Sequence, residues 1–244
     1  MGSRDGFLDV VLNLARYHRE HEKFYAARPL EDALALQRSS RALKALAERW
    51  STVQPAAERP ASPYAGAPEL NDPRAIEAAG VLFMEGEGEP AEIGRLKHDL
   101  VELADVQEQT GDWLAKAMEA AWGVAEGLLQ YPQLADLLGE RHRIIANDWQ
   151  AASIAQLVAR QLLRARAILD RVDFSPQALR DDLRGDRCVP GYLFAASELL
   201  DNASDLIAQS ASLVHENERR WRVFRERVEL VADGPNATHG GAPT

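Results

Sequence analysis

Residues 189–231 read VPGYLFAASELLDNASDLIAQSASLVHENERRWRVFRERVELV, and this stretch decides the fold. Its apolar residues recur at alternating spacings of three and four for about forty positions, which places them on one side of a helix. A seven-residue repeat of this length predicts a long helix that wraps other long helices in a supercoil. The seam consists of Leu193, Ala196, Leu200, Ala203, Ile207, Ser210, Val214, Asn217, Trp221, Phe224, Val228 and Val231.

Two earlier stretches carry the same periodicity and predict two further long helices, over residues 91–130 and 133–171. Tyr131-Pro132 separates them, and so short a connection makes the two helices antiparallel neighbours. Asp148 lies on or beside the seam of the second helix. The fold class predicted is therefore all-α, an elongated antiparallel bundle of three helices of about 40 residues each, with an N-terminal αα-hairpin.

The domain organisation follows from proline and glycine placement. We expect an N-terminal helical hairpin over residues 1–53, a flexible proline-rich linker over 54–72, a bundle over 73–232 and a disordered tail over 233–244. Short helices are expected after Asn71 and after Ser175, where a capping residue precedes a proline. The first helix, residues 6–26, is predicted to turn one apolar face inward. That face consists of Phe7, Val11, Leu14, His18, His21 and Tyr25.

Composition narrows the class of protein. A net charge of −10 argues against a general binder of nucleic acid or of anionic membranes, which needs a basic face. No cationic leader or uninterrupted apolar run of membrane-spanning length is present, so a cytoplasmic location is expected. Cys188 is the single cysteine, which excludes an internal disulfide. Arginine accounts for 24 of the 28 basic residues, and alanine is abundant, as in proteins of GC-rich bacterial genomes.

His18-x-x-His21-Glu22 is the first candidate site. The spacing sets both rings and the carboxylate on adjacent turns of one helix, as in bundles that bind iron, manganese or zinc, and Asp148 is the best fourth ligand. No Glu-x-x-His pair occurs in the chain, so the pattern of ferritin-like di-iron proteins is missing. We interpret both histidines as hydrogen-bonded packing residues. The alternative is a metal-dependent oxidase or hydrolase of the helical-bundle class that uses His18, His21 and Glu22.

A second candidate site appears when the last two long helices are folded against each other about residue 180. Arg219 then faces Arg141, and one end of the bundle gathers guanidinium groups that suit an anion, a nucleotide or an acidic partner. The alternative is that these cations pair with neighbouring glutamates and complement the helix ends. The set comprises Arg141, His142, Arg143, Arg219, Arg220 and Arg222.

Four large apolar residues lie beside their seams and widen the apolar stripe, which favours a further partner or a homodimer. They are Trp122, Leu199, Leu206 and Leu213.

No motif that carries chemistry stands out above chance occurrence. The function expected is a non-enzymatic scaffold or protein-interaction module without a cofactor, and the alternatives are the metal-dependent enzyme and a sensor of anions or nucleotides.

Overall fold

The structure, a computed structural model, describes residues 4–25, 29–57, 91–174 and 189–233. Within them the chain forms five α-helices and no strand, so the predicted all-α class is confirmed. The helices are α1 Arg4–Tyr25, α2 Pro29–Ala57, α3 Ala91–Gln130, α4 Leu137–Leu169 and α5 Val189–Asp233. They contain 22, 29, 40, 33 and 45 residues in that order.

The seam predicted for α5 is the buried face of that helix. Eleven of its twelve residues are buried, and the last, Val231, is partly buried and packs against the core. Two polar residues of the seam, Ser210 and Asn217, are 3% and 0% exposed. The seven-residue repeat therefore identified the packed side of the helix even where the residue was polar.

The start of α4 differs from the prediction of a helix from residue 133. Pro132 opens a 3₁₀ turn, Pro132–Leu134, in which the backbone N–H of Leu134 donates to the carbonyl of Tyr131 at 2.8 Å. The α-helix begins only at Leu137. The fixed φ angle of Pro132 suits a tight turn, and Leu134 is buried in that turn. Together they explain why the α-helix begins later than predicted.

The buried face of α1 is rotated from the predicted one. Val11 is 38% exposed, whereas its neighbour Val10 is 1% exposed, and Tyr17 takes the inward place predicted for His18. The spacing Val10, Leu14, Tyr17, His21 runs four, three, four, as a single helical face requires. The rotation keeps Leu14 and His21 inside and turns His18 towards the edge.

The predicted linker is partly helical, because α2 continues through Ala57, four residues into it. Residues 58–90, the segment after Ser175 and the tail beyond Asp233 lie outside the described residues, and so do the short helices predicted there and Cys188.

The chain divides into two compact units, each with parts of several helices. The first unit is Met1–Pro29, Glu108–Gln156 and Ala208–Thr244, and the second is Leu30–Gln107 and Leu157–Ile207. In the described helices, no stretch of 18 residues is both apolar enough and poor enough in charged residues to span a bilayer.

In the first unit, α1 and parts of α3, α4 and α5 surround one apolar core. The segments of α4 and α5 run antiparallel, because Asp136 contacts Arg227 and Glu140 contacts Arg220, both at 2.7 Å. On α3, Gly127 allows close approach of α1. A Cβ at that position would lie 1.7 Å from Cγ2 of Val10.

In the second unit, hydroxyl groups join α2 to α5. Ser40 Oγ donates to the carbonyl of Ser197 at 3.1 Å, and Ser204 Oγ donates to the carbonyl of Ala33 at 3.0 Å. Because residue numbers rise along one helix as they fall along the other, these segments are antiparallel.

Candidate functional site

Asp148 lies at the centre of the first unit with 0% exposure. It belongs to the face of α4 that buries Ile144 and Ile145, so the helix itself turns the carboxylate inward. Three side chains from two other helices donate to it. Tyr17 Oη lies 2.5 Å from Oδ2, and His21 Nε2 and Asn217 Nδ2 lie 3.2 and 2.7 Å from Oδ1.

This network, Tyr17–His21–Asp148–Asn217, explains how a carboxylate is tolerated inside. A buried carboxylate is costly unless hydrogen bonds replace its water shell. Because the carboxylate only accepts, His21 must carry its proton on Nε2. Burial, followed by the negative charge of Asp148 and the hydrogen bond to it, raises the pKa of Tyr17 well above its usual 10.0, so the phenol remains a donor at neutral pH.

Asn217 also connects α5 to α4. Its amide donates to the carbonyl of Ile144 at 2.8 Å as well as to Asp148, and its oxygen accepts from Asn147 Nδ2 at 2.9 Å. These bonds fix the register of the two helices at the level of Asp148. The sequence signal was an amide on a mostly apolar seam, where a buried polar group needs a hydrogen-bond partner.

Trp221 of α5 forms an aromatic cluster beside the network. Its ring centroid lies 5.1 Å from Tyr17, 5.7 Å from His18 and 6.1 Å from Phe224. The rings of His18 and Trp221 are nearly parallel, at 23°. Stacking and edge contacts of this kind stabilise a core beyond its buried area.

The four candidate metal ligands are divided into two pairs. His18 Nδ1 lies 3.2 Å from a carboxylate oxygen of the exposed Glu22, and the buried His21 is bonded to Asp148. Among the described residues, no three His, Cys, Asp or Glu side chains are grouped closely enough to hold a metal ion. The structure thus brings His21 and Asp148 together and directs His18 and Glu22 elsewhere.

The candidate arginine cluster is also divided. Arg141 is 5% exposed rather than displayed beside Arg219, because it shares the inward face of α4 with Ile144 and Asp148. Its guanidinium lies 4.9 Å from the centre of the Trp122 ring, and burial lowers its pKa. This cation–π contact also accounts for Trp122, which is 56% exposed and covers Arg141.

The remaining cations of the set lie on or near the surface, and most pair with glutamates. Arg220 donates to Glu140 at 2.7 Å and also contacts Glu216, while Arg143 donates to Glu140 at 2.8 Å. Arg222 lies 3.8 Å from Glu218. His142 Nδ1 is 2.7 Å from the carbonyl of Leu138, and Arg219 lines a surface groove of about 810 Å³ together with Glu216 and Glu226. Charges of both signs in this groove largely offset one another.

Of the residues predicted to widen the apolar stripe, Leu213 is partly buried and packs against the core beside Val214. Leu199 and Leu206 are partly buried in the second unit. Other exposed apolar positions of the first unit were not singled out from the sequence. They include Leu8 and Leu12 on α1, at 52% and 65%.

A second groove, about 490 Å³, runs between α1 and α5 in the first unit. Its lining is mostly apolar but includes four polar residues: His18, Arg19, Arg225 and Glu229. Arg225 and Glu229 are 3.5 Å apart. The apolar lining residues are Val11, Leu14, Ala15, Trp221 and Val228.

The two parts of the site differ in what they can do. Asp148 has 0% exposure and bonds to three donors, so it suits a role in holding helices together. The α1–α5 groove and the outward leucines of α1 reach solvent and can contact another molecule. No protein family model, curated protein or solved structure matches the chain.

Proposed function

We propose that the chain is a cytoplasmic protein-interaction module of bacterial origin that binds a protein partner through the outward face of α1. One observation supports this above the others. Leu8 and Leu12 are 52% and 65% exposed at the centre of the face that α1 turns away from its core. Solvent-facing positions of a surface helix are normally polar, so apolar residues there favour a docking surface.

The surroundings of these leucines fit the same role. Val11, 38% exposed, lies within one turn of both and also lines the α1–α5 groove, so the apolar surface is continuous from the helix into the groove. Arg19 and Arg225 at the groove add polar contacts. An apolar centre with a charged border is the usual composition of a protein interface.

The buried network supports the proposal indirectly. Its donors and acceptor are turned towards one another inside the core, where they stabilise the arrangement of α1, α4 and α5. Holding α1 rigidly in this way presents Leu8 and Leu12 on a preformed surface. Binding by a preformed surface avoids the free-energy cost of ordering it.

The test is a photo-crosslinking amino acid placed at position 12 in cells. We expect a covalent product with another polypeptide, identified by mass spectrometry. The matched control carries the same amino acid at Leu163, which is 40% exposed on α4 in the second unit. Equal yields at positions 12 and 163, or no product at position 12, would contradict the proposal.

A further inference from the structure

The outward face of α1 has a charge pattern as well as an apolar stripe. The apolar stripe consists of Leu8, Leu12 and, one turn further along, Ala15. All three side chains are exposed. Asp9 and Arg16 flank Leu12 on the same side of the helix, one towards each end. The exposed stripe therefore carries an acidic group towards its amino end and a basic group towards its carboxyl end.

Asp9 and Arg16 do not form an ion pair with each other within one helix. They are seven residues apart, about 10.5 Å along the axis, which is beyond the reach of an ion pair between i and i+4 positions. No described residue forms an ion pair with either Asp9 or Arg16. Within the described ranges of the chain, both charges are therefore available to a second molecule.

A second copy of α1 is complementary to this pattern when it runs antiparallel. With Leu12 on the twofold axis, Leu12 meets Leu12 of the second copy, and Leu8 lies over the small Ala15 of the second copy. Asp9 then lies beside Arg16 of the second copy, and symmetry repeats the contact. A parallel pairing would instead set Asp9 level with Asp9 and Arg16 level with Arg16 of the second copy, on opposite sides of the seam, so neither Asp9–Arg16 contact would form.

The size of the outward face of α1 indicates how tightly two copies should bind. The 22 residues of α1 span about 33 Å, and a single helix pair lies at the lower end of the areas buried by specific interfaces. From so small an interface we expect a reversible dimer with a dissociation constant on the order of micromolar.

We infer that the partner bound by this face is a second copy of the chain, in an antiparallel α1–α1 homodimer held by Leu8, Leu12 and Ala15 and by two Asp9–Arg16 contacts. The inference rests on the proposed function, since it names the partner for the same surface. Its positions on α1 differ from the four residues beside the seams that favoured a further partner or a homodimer: Trp122, Leu199, Leu206 and Leu213.

Charge exchange tests the arrangement. In analytical ultracentrifugation of the full chain, Asp9→Arg and Arg16→Asp should each raise the dissociation constant about tenfold, because each creates two like-charge contacts in a dimer. The double variant Asp9→Arg/Arg16→Asp should return it to the wild-type value. An equimolar mixture of the two single variants should also dimerise, since opposite charges then meet at both contacts. Circular dichroism at equal concentration checks that all variants keep the wild-type helix content.

The outcomes separate this inference from the proposed function. A species of 27.0 kDa at all concentrations, or a dimer unaffected by either single variant, overturns the α1–α1 dimer. If position 12 nevertheless crosslinks to a different protein, the proposed function stands and the self-association fails. If position 12 crosslinks to nothing, both fail.

Discussion

At the scale of single residues, the central feature of the first unit is Asp148, a buried carboxylate that accepts three side-chain hydrogen bonds. Its three donors come from α1 and α5, so each hydrogen bond joins helices distant in sequence. Removing a donor leaves the carboxylate with less compensation for the water it lost on folding. The stability of the unit therefore depends on individual polar atoms as well as on apolar area.

Tyr17→Phe removes only the phenolic oxygen that lies 2.5 Å from Asp148. We expect the free energy of unfolding in urea to fall by about 1–3 kcal/mol, because a hydrogen bond to a buried charge is lost. Tyr192→Phe is the matched control, since Tyr192 is 37% exposed, and it should change stability by less than about 0.5 kcal/mol. Equal effects of the two substitutions would contradict the role given to the network.

The raised pKa of Tyr17 predicts a pH dependence with a definite sign. Below pH 10.0 the tyrosine is protonated in both states, so its full contribution to stability is present. Above pH 10.0 the unfolded chain loses this proton while the folded chain keeps it, so stability falls as pH rises. The difference in unfolding free energy between wild type and Tyr17→Phe should therefore shrink above pH 10.0; a difference that stays constant to pH 11 would refute it.

At the scale of helices, the close approach of α1 to α3 depends on Gly127. Val10 occupies the space where a Cβ at position 127 would lie, and Val10 is itself 1% exposed. The two helices can meet at this distance because one of them has no side chain there. A larger residue has to displace the Val10 side chain or α1.

Gly127→Ala should destabilise the chain by about 1–3 kcal/mol, as overpacking of a filled core does, despite the better helix propensity of alanine. Gly139→Ala is the matched control on α4, because nothing lies within 4 Å of its added methyl group. It should stabilise by about 0.4–1 kcal/mol. Thermal unfolding of both variants checks the two signs, and a stabilising Gly127→Ala would show that α1 packs differently.

The long helices and their seams were predictable from the sequence because a seven-residue repeat extends over many turns, whereas the start of α4 and the end of α2 were not. The burial of Asp148 and Asn217 also followed from their seam positions. The face of α1 was less certain over 22 residues, since Phe7, Val11 and His18 fit an apolar stripe almost as well as Val10 and Tyr17. Which donor reaches Asp148 depends on how α1 docks, and no local pattern encodes that.

At the scale of the whole molecule, a chain with net charge −10 presents apolar leucines on one outward helix face. The charge keeps copies apart in general, and a specific surface is needed to overcome it. The buried network stabilises the first unit, and the outward face of α1 is the binding surface that we propose. The two roles can be separated because they belong to opposite sides of one helix.

The most direct test is Leu12→Lys, with association and stability measured on the same preparation. Sedimentation should show a loss of dimer, because the twofold axis sets two lysines against each other. The free energy of unfolding should stay within about 0.5 kcal/mol of wild type, since the side chain is 65% exposed. An unchanged dimer, or a large loss of stability without loss of association, would contradict the assignment of binding to this face.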